Sequence, residues 1–125
     1  MDKRELQERM TVFAVRIVKM VDAMPSTVSG LAIARQIVRS GTSPSANYRA
    51  ACLWKSDKDF VNKLKMVEEE LDETSHWLDM IMACGILPYE NVSGLYSECQ
   101  QLLRIISSSI ITMKQKMNGQ PIVNS

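Results

Sequence analysis

The chain has 125 residues, of which 46% are hydrophobic and only 6% aromatic, and its formal net charge is +1. This length predicts one domain, large enough to bury a core without disulfides or a structural metal, and the low net charge excludes a polyelectrolyte. No apolar run reaches the ~18 residues of a membrane span, and the charged N-terminus precedes no signal-peptide hydrophobic segment. We therefore expect a cytoplasmic protein without a membrane partner.

The cysteine and histidine contents oppose an enzyme or a metal site. The three cysteines lack CxxC spacing and His76 is the only histidine, so one chain assembles neither a zinc site nor a Ser-His-Asp triad. Glu73 and His76 supply one Glu-x-x-His, whereas a di-metal carboxylate bundle needs two. No glycine-rich phosphate-binding motif occurs. We predict no enzymatic activity, no metal, no cofactor and no small-molecule substrate.

The first predicted helix covers residues 4–24. Apolar residues recur there at steps of three and four, and Pro25 stops the helix because its ring disfavours helical backbone at the preceding residue. Val12, Val15 and Val18 lie off this stripe, so they leave some apolar surface without a partner.

The second predicted helix follows an N-cap at Ser26 or Thr27, with Val28 and Leu31 facing inward. Gly41 is expected to interrupt this helix, since glycine ends helices readily. Pro44 then suits the first position of a resumed helix that runs to about residue 54. One kinked helix and two separate helices both fit this pattern.

The third predicted helix begins at Ser56, where Asp59 completes a start similar to a capping box, and it ends at Gly85. Its apolar seam alternates steps of four and three, as in a heptad repeat. The seam residues are Phe60, Leu64, Val67, Leu71, Thr74, Leu78 and Ile81.

The fourth predicted helix follows Pro88, with Asn91 as its cap, and ends at Asn118 and Gly119. The loops between the long helices are short, so neighbouring helices should be antiparallel. The sequence therefore predicts an all-α fold, an antiparallel up-down four-helix bundle over residues 1–119 with its second helix interrupted near Gly41. Residues 120–125 are predicted to form a flexible tail.

A second stripe on helix three mixes apolar and acidic residues at the same spacing. Because a lone bundle needs only one apolar face per helix, we predict that Met66, Trp77 and Met80 contact another subunit. The alternative is that Trp77 and Met80 pack against the helix ends of their own chain.

The charges are unevenly distributed along the chain. Residues 35–65 carry seven Lys and Arg against two Asp, a balance of +5, whereas residues 66–98 carry eight acidic residues and no basic one, a balance of −8. The basic segment suits contacts with RNA or DNA phosphates, and Arg49, Lys55 and Lys58 are the predicted contact residues because they lie off the apolar seam. Alternatively, the basic segment pairs with residues 68–73, within or between subunits, and the protein is an interaction scaffold.

A family resemblance rests on two parts of the sequence. The first is residues 36–49, Gln-Ile-Val-Arg-Ser-Gly-Thr-Ser-Pro-Ser-Ala-Asn-Tyr-Arg. The second consists of Ser56, Asp59-Phe60, Lys63-Leu64, Glu70, Glu73-Thr74 and Trp77-Leu78. Together they resemble a bacterial four-helix-bundle family. That family includes proteins encoded in intervening sequences of large-subunit ribosomal RNA genes and the accessory variability determinants of diversity-generating retroelements. The resemblance spans about residues 28–85.

The resemblance implies a ring-shaped homo-oligomer, commonly a pentamer, that binds nucleic acid and has no established enzymatic activity. Two positions depart from the family pattern: Ala50 stands where an acidic residue is common, and Glu69 where a basic one is. The motif residues carried over by the resemblance are Arg39, Ser40, Gly41, Ser43, Asn47, Lys63, Glu70 and Glu73.

Arg39 and Asn47 are predicted to be held by hydrogen bonds, with Glu70 or Glu73 as the ionic partner of Arg39, because a partly buried arginine needs a carboxylate. Taken together, the sequence predicts a non-enzymatic, oligomeric helical bundle that binds RNA or DNA through residues 35–65. The interaction scaffold is the alternative.

Overall fold

The computed structural model describes residues 1–119, which form four helices: α1 (Lys3–Asp22), α2 (Val28–Ala51), α3 (Asp57–Ala83) and α4 (Tyr89–Met117). The predicted tail over residues 120–125 lies outside the described residues. Consecutive helices make the main contacts along their lengths, and α1 and α4 also touch, less extensively. The predicted antiparallel four-helix bundle is confirmed. Within residues 1–119, no helix combines the length and the apolar character needed to cross a membrane.

Contacts between the helices establish their antiparallel order. Arg9 of α1 makes a bidentate ion pair with Glu98 of α4, with nitrogen–oxygen distances of 2.7 and 2.8 Å. On the other side of the bundle, Gln100 of α4 donates a hydrogen bond to the Ser75 hydroxyl of α3. Because Glu98 accepts two hydrogen bonds from a guanidinium, the pKa of Arg9 is raised. This pair joins α1 to α4, which contact each other less extensively than consecutive helices do.

The helix ends follow the predicted capping signals, with one exception. The Thr27 hydroxyl accepts from the Gly30 N–H at 3.0 Å, and the Ser56 hydroxyl accepts from the Asp59 N–H at 3.2 Å. After α3, Gly85 has φ +65° and its successor Ile86 donates to the Ile81 carbonyl, which is a Schellman ending. The helix α4 begins at Tyr89, directly after Pro88 as predicted, but the predicted cap was wrong, since Asn91 lies inside the helix and no side chain caps it.

The predicted interruption of the second helix was also wrong, because α2 is continuous through Gly41 and Pro44. Gly41 is required by close packing rather than by its backbone angles: a Cβ there would lie 2.8 Å from Cγ2 of buried Ile17. Pro44 lacks the N–H that would bind the carbonyl four residues earlier. Around it, the Thr42 and Ser43 hydroxyls donate to backbone carbonyls one turn back, at 2.6 and 2.8 Å.

The core lies between all four helices. The predicted α3 seam is buried except for Phe60, which is half-buried. The inward placement of Val28 and Leu31 was wrong: these side chains are 91% and 45% exposed. Their helix turns Gly30 inward instead, and a Cβ on Gly30 would lie 2.3 Å from the Pro25 carbonyl oxygen. This close approach rotates Val28 and Leu31 away from the core.

Candidate functional site

The signature segment, residues 39–47, lies in the middle of α2 and faces α3. The Arg39 guanidinium contacts the Glu70 carboxylate at 3.0 and 3.1 Å and also binds Glu73. The predicted ion pair is therefore present, and the Arg39 side chain is half-exposed. The hydrogen bonds to Glu70, followed by its charge, raise the pKa of Arg39. Arg39 is neutralised by two carboxylates and is not free to meet a phosphate.

The neighbouring signature residues pack the helices together. Ser40 is fully buried, and its hydroxyl lies 3.0 Å from the hydroxyl of Thr74, which donates to the Glu70 carbonyl oxygen at 2.7 Å. Because Gly41 has no Cβ, Ile17 of α1 packs closely against its backbone. The Ser43 hydroxyl donates to the Arg39 carbonyl and stays on its own helix. These residues join α2 to α3 and to α1.

The signature prediction fails at one residue. No atom among residues 1–119 forms a hydrogen bond with the side chain of half-buried Asn47, so the predicted hydrogen bonding of Asn47 was wrong. The adjacent Tyr48 is buried in the core. Burial raises the pKa of the Tyr48 hydroxyl. Lys63, the remaining basic signature residue, is half-buried on α3.

The predicted contact residues Arg49, Lys55 and Lys58 are all exposed at the turn that joins α2 to α3. None of the three forms an ion pair within the part of the chain that the structure describes. Of the seven basic residues between positions 35 and 65, Arg39 alone pairs with an acidic residue inside residues 1–119. Pairing of the basic and acidic segments within one chain is therefore limited to Arg39.

The antiparallel topology brings further charges to this turn. Nζ of Lys3, at the start of α1, lies 4.6 Å from the centre of the Phe60 ring, and Nζ of Lys116, at the end of α4, lies 3.7 Å from Asp57. We call this region the basic end. Its acidic residues are Asp2, Glu5, Asp57 and Asp59, and its basic residues are Lys3, Arg4, Arg49, Lys55, Lys58, Lys114 and Lys116. Seven positive charges face four negative ones, a formal charge of +3.

Sequence reasoning missed the part of the basic end that the chain termini contribute. Lys114 and Lys116 are more than 50 residues away from the α2–α3 turn along the chain, so a count over a continuous segment omits them. The signal was available, since an up-down bundle of four helices places its first N-terminus and its last C-terminus beside the middle turn.

The predicted subunit contacts on α3 are only partly accessible. The side chain of Met66 is 43% exposed, whereas Trp77 and Met80 are half-buried and Trp77 packs against the core of its own chain. The Trp77 indole N–H is buried and has no acceptor among residues 1–119. Two apolar side chains on α1 are more exposed than Met66: Val12 at 59% and Val15 at 47%. These valines are the apolar surface that the sequence left without a partner.

Comparison with known proteins places this fold and signature in a family. The family model described as 23S rRNA-intervening sequence protein matches residues 3–108. The chain belongs to that family. A crystal structure of a protein of unknown function from the S23 ribosomal protein family of Bacteroides thetaiotaomicron is similar, with a TM-score of 0.82 and 29% sequence identity. The alignment covers 90% of this chain and 100% of that chain. No curated protein matches the chain.

The resemblance read from residues 36–49 is thereby confirmed at the level of the family. In this member of the 23S rRNA-intervening sequence family, most of the signature residues lie at helix contacts, and the three predicted contact residues, Arg49, Lys55 and Lys58, lie after the segment 39–47. Neither the family description nor that of the solved relative names a reaction.

The remaining candidate sites in this family member show little chemistry. No group of three metal-ligating side chains occurs among residues 1–119. The Cys99 thiol donates to the Leu71 carbonyl at 3.2 Å, and burial raises its pKa to about 12, so it is a poor nucleophile at neutral pH. A groove of about 860 Å³ between α1, α3 and α4 has an apolar floor, and Lys3 and Arg104 line its edge.

Proposed function

We propose that this protein is a non-enzymatic, oligomeric helical bundle that binds RNA or DNA through its basic end. The observation that carries the proposal is the exposure of Arg49, Lys55 and Lys58 at one turn, without an ion pair to any residue between 1 and 119. An exposed cation that is not held in an ion pair by a carboxylate among residues 1–119 remains available to a phosphate. The family description concerns an intervening sequence of 23S rRNA, which makes RNA the first ligand to test.

The proposed binding is weak and insensitive to sequence, because Lys and Arg at a turn contact phosphates rather than base edges. Three phosphate contacts predict that log Kd changes with log salt concentration with a slope of roughly 2 to 3 per subunit. Self-association would present several basic ends on one particle, so a modest attraction per subunit would add up to avidity. These properties are those of a cytoplasmic RNA-binding accessory protein rather than of a sequence-specific regulator.

Fluorescence anisotropy with labelled RNA and DNA oligomers, at low and at moderate salt, tests this proposal. We expect the triple variant Arg49→Ala/Lys55→Ala/Lys58→Ala to abolish most of the binding seen at low salt. A matched control is Arg16→Ala/Lys19→Ala/Arg35→Ala, which removes the same charge from exposed residues outside the basic end. We expect the control to retain binding within a few-fold. Absence of binding by the parent at low salt, or equal losses in the two variants, would contradict the proposal.

We also propose that the protein self-associates, as a pentamer by family resemblance, through exposed apolar side chains. Two surfaces are candidates: Met66 on the second stripe of α3, with the half-buried Trp77 and Met80, and the outward face of α1 at Val12 and Val15. Single glutamate variants of exposed residues leave the core intact, so Met66→Glu and Val12→Glu form a matched pair. We expect light scattering to give a multiple of 14.1 kDa for the parent. The variant that lowers this mass identifies the surface, and a monomeric parent would refute self-association.

The interaction scaffold is supported by one observation, the contacts of Arg39 with Glu70 and Glu73. It requires the other six basic residues of the segment to meet the acidic face of another subunit. If the triple variant changes the mass and the parent binds no oligonucleotide, the scaffold replaces nucleic-acid binding as the function.

A further inference from the structure

The α2–α3 turn carries an aromatic side chain that the helical core does not use. Trp54 is 50% exposed and does not belong to the core or to the residues packed against it, whereas the other tryptophan, Trp77, packs there. Two other aromatic residues near the basic end are already engaged, since Tyr48 is buried and the Phe60 ring lies under Lys3. Trp54 is therefore the aromatic face at the basic end that is open to a ligand.

We propose, on the basis of the nucleic-acid binding proposed above, that Trp54 stacks on an unpaired base and makes the basic end a site for single-stranded nucleic acid. The residue stands between the cations that would hold the phosphates. Arg49 precedes Trp54 by five positions, Lys55 follows it directly and Lys58 lies in the first turn of α3. Aromatic side chains set among basic ones are the arrangement by which proteins bind single strands without reading their sequence.

The backbone of the turn holds Trp54 in place. The Leu53 N–H donates to the Ala50 carbonyl oxygen and the Trp54 N–H to that of fully buried Ala51, both at 3.1 Å. Two residues further on, Ser56 caps α3. A backbone that is already ordered on both sides of Trp54 costs little further conformational entropy when a base stacks on the indole, so more of the stacking energy appears as affinity.

The charges at the turn favour a polyanion over a protein surface as the occupant. Exposed Leu53 and Trp54 would also suit an apolar contact with a second copy of the chain. In a two-fold contact that copy would bring its own Arg49, Lys55 and Lys58, and in a ring it would have to set acidic residues opposite them. Like charges brought together at an interface oppose association. A single strand supplies phosphates for the cations and bases for the indole at the same time.

A duplex does not offer the same contact, because its bases are already stacked and paired inside the helix. Trp54 therefore adds affinity for single strands and none for duplexes, whereas the three cations add affinity for both. Loss of one stacked base weakens binding by about 5- to 100-fold. The proposal thus predicts that one substitution changes the preference between two forms of the same nucleic acid.

The test uses the full chain, an oligouridylate of about a dozen nucleotides and an RNA duplex of the same length, within the usual range of site sizes. We expect Trp54→Ala to raise the Kd for the oligouridylate by about 5- to 100-fold and to leave the Kd for the duplex within about twofold. The matched control is Tyr89→Ala, which removes an exposed aromatic residue at the opposite end of the bundle. It should leave both values unchanged.

A second measurement observes the contact directly. In the Trp77→Phe variant, Trp54 is the remaining tryptophan, and we expect its fluorescence to be quenched by the oligouridylate but not by the duplex. The anisotropy experiment does not depend on this variant and stands if Trp77→Phe folds poorly.

The outcomes separate this inference from the proposed function. If the parent binds neither probe, nucleic-acid binding itself fails. If it binds both and Trp54→Ala changes neither Kd, or changes both equally, the stacking role of Trp54 is overturned while nucleic-acid binding stands. If Trp54→Ala lowers the mass measured by light scattering, the turn is a subunit contact and the stacking proposal is also overturned.

Discussion

The signature segment (residues 39–47) and the α2–α3 turn (residues 52–58) are separated by a few residues but differ in kind. The signature segment lies inside a continuous helix, and its small residues and hydroxyls join α2 to α3 and α1. The turn lies at the end of the bundle and exposes Leu53, Trp54, Lys55 and Lys58 to solvent. The most recognisable residues of the chain are therefore largely packing residues, and the chemistry available to a ligand lies after them.

This difference has a physical cause. Close helix contacts demand particular residues at particular positions, since a Cβ at Gly41 meets Ile17 and a larger side chain at Ser40 meets Thr74. A phosphate contact demands only a positive charge within reach, which many positions at one end of a bundle satisfy. We therefore expect substitutions in the signature segment to alter stability, and substitutions in the turn to alter binding.

The largest expected effect compares one substitution in the core with the same substitution at the turn. Leu71 is fully buried in the α3 seam, and Leu53 is 78% exposed. We expect Leu71→Ala to lower the free energy of unfolding by about 2–5 kcal/mol, because it removes buried methyl groups and leaves a cavity. Leu53→Ala should change it by less than about 0.5 kcal/mol. Urea denaturation measures both, and a loss below about 0.5 kcal/mol for Leu71→Ala would mean that the seam is not core.

The next effect tests close packing at the signature. Gly41→Ala places a Cβ 2.8 Å from Ile17 Cγ2, and we expect a loss of about 1–3 kcal/mol by overpacking. Gly94→Ala is the matched control, since the nearest atom to its Cβ is the flexible Arg16 guanidinium at 3.4 Å, and it should gain about 0.5–1 kcal/mol of helix stability. In an Ile17→Ala background, Gly41→Ala should no longer destabilise. If both glycine variants are stabilising, the close contact with Ile17 does not constrain Gly41.

These two positions show how far sequence reasoning reached. The 4–3 repeat of apolar residues identified Leu71 and its seam, because periodicity reports which face of a helix is buried. The same reasoning misread Gly41 as a helix break, since a glycine that permits close packing and one that ends a helix look alike in sequence. The basic end was half predicted: Arg49, Lys55 and Lys58 adjoin the signature, whereas Lys114 and Lys116 join them only through the tertiary fold.

A third effect comes from the buried thiol beside Leu71. Burial raises the pKa of Cys99 to about 12, so the folded state keeps the proton that the unfolded chain releases near pH 8.5–9. The contribution of the protonated thiol to the free energy of unfolding is fully present below the pKa of the unfolded chain. It is lost as the pH rises towards the pKa of the folded protein. We expect the free energy of unfolding to fall by about 1.5–2 kcal/mol between pH 7 and pH 10 through this group, and this fall should be absent from the pH profile of Cys99→Ala. Equal pH profiles of the two proteins in urea denaturation would contradict this assignment.

A smaller effect is expected at the ion pair of the signature. Arg39→Met removes the half-exposed guanidinium that binds Glu70 and Glu73, so two neighbouring carboxylates lose their common partner. We expect a lower melting temperature than that of the parent, with a smaller change than Gly41→Ala produces, because solvent screens exposed ion pairs. RNA affinity should stay unchanged. If the variant melts and assembles as the parent does but binds RNA less well, Arg39 contacts the ligand rather than stabilising the helix packing.

The smallest expected effect on stability belongs to the variant with the largest expected effect on binding. In Arg49→Ala/Lys55→Ala/Lys58→Ala, the lost charges act on helix dipoles in opposite directions. Arg49 lies in the last turn of α2, where a cation stabilises the helix, whereas Lys55 and Lys58 flank the N-terminus of α3, where cations oppose the dipole. Each contribution is about 0.3–1 kcal/mol, so one favourable charge against two unfavourable ones leaves a small net gain in stability, of about the size of one such contribution.

The positions of Lys55 and Lys58 give this last prediction its meaning. Two lysines at a helix N-terminus lower the stability of the bundle slightly, and Asp57 and Asp59 in the same turn offset that cost only in part, since Asp57 already pairs with Lys116. Stability alone does not account for lysine at these positions, whereas the proposed binding of a phosphate between them would. For the same triple variant, the free energy of unfolding is measured by urea denaturation and the RNA affinity by anisotropy. If the triple variant loses RNA binding but keeps its stability, the division between a packed signature segment and a binding turn is supported. If it loses stability together with binding, that division is contradicted.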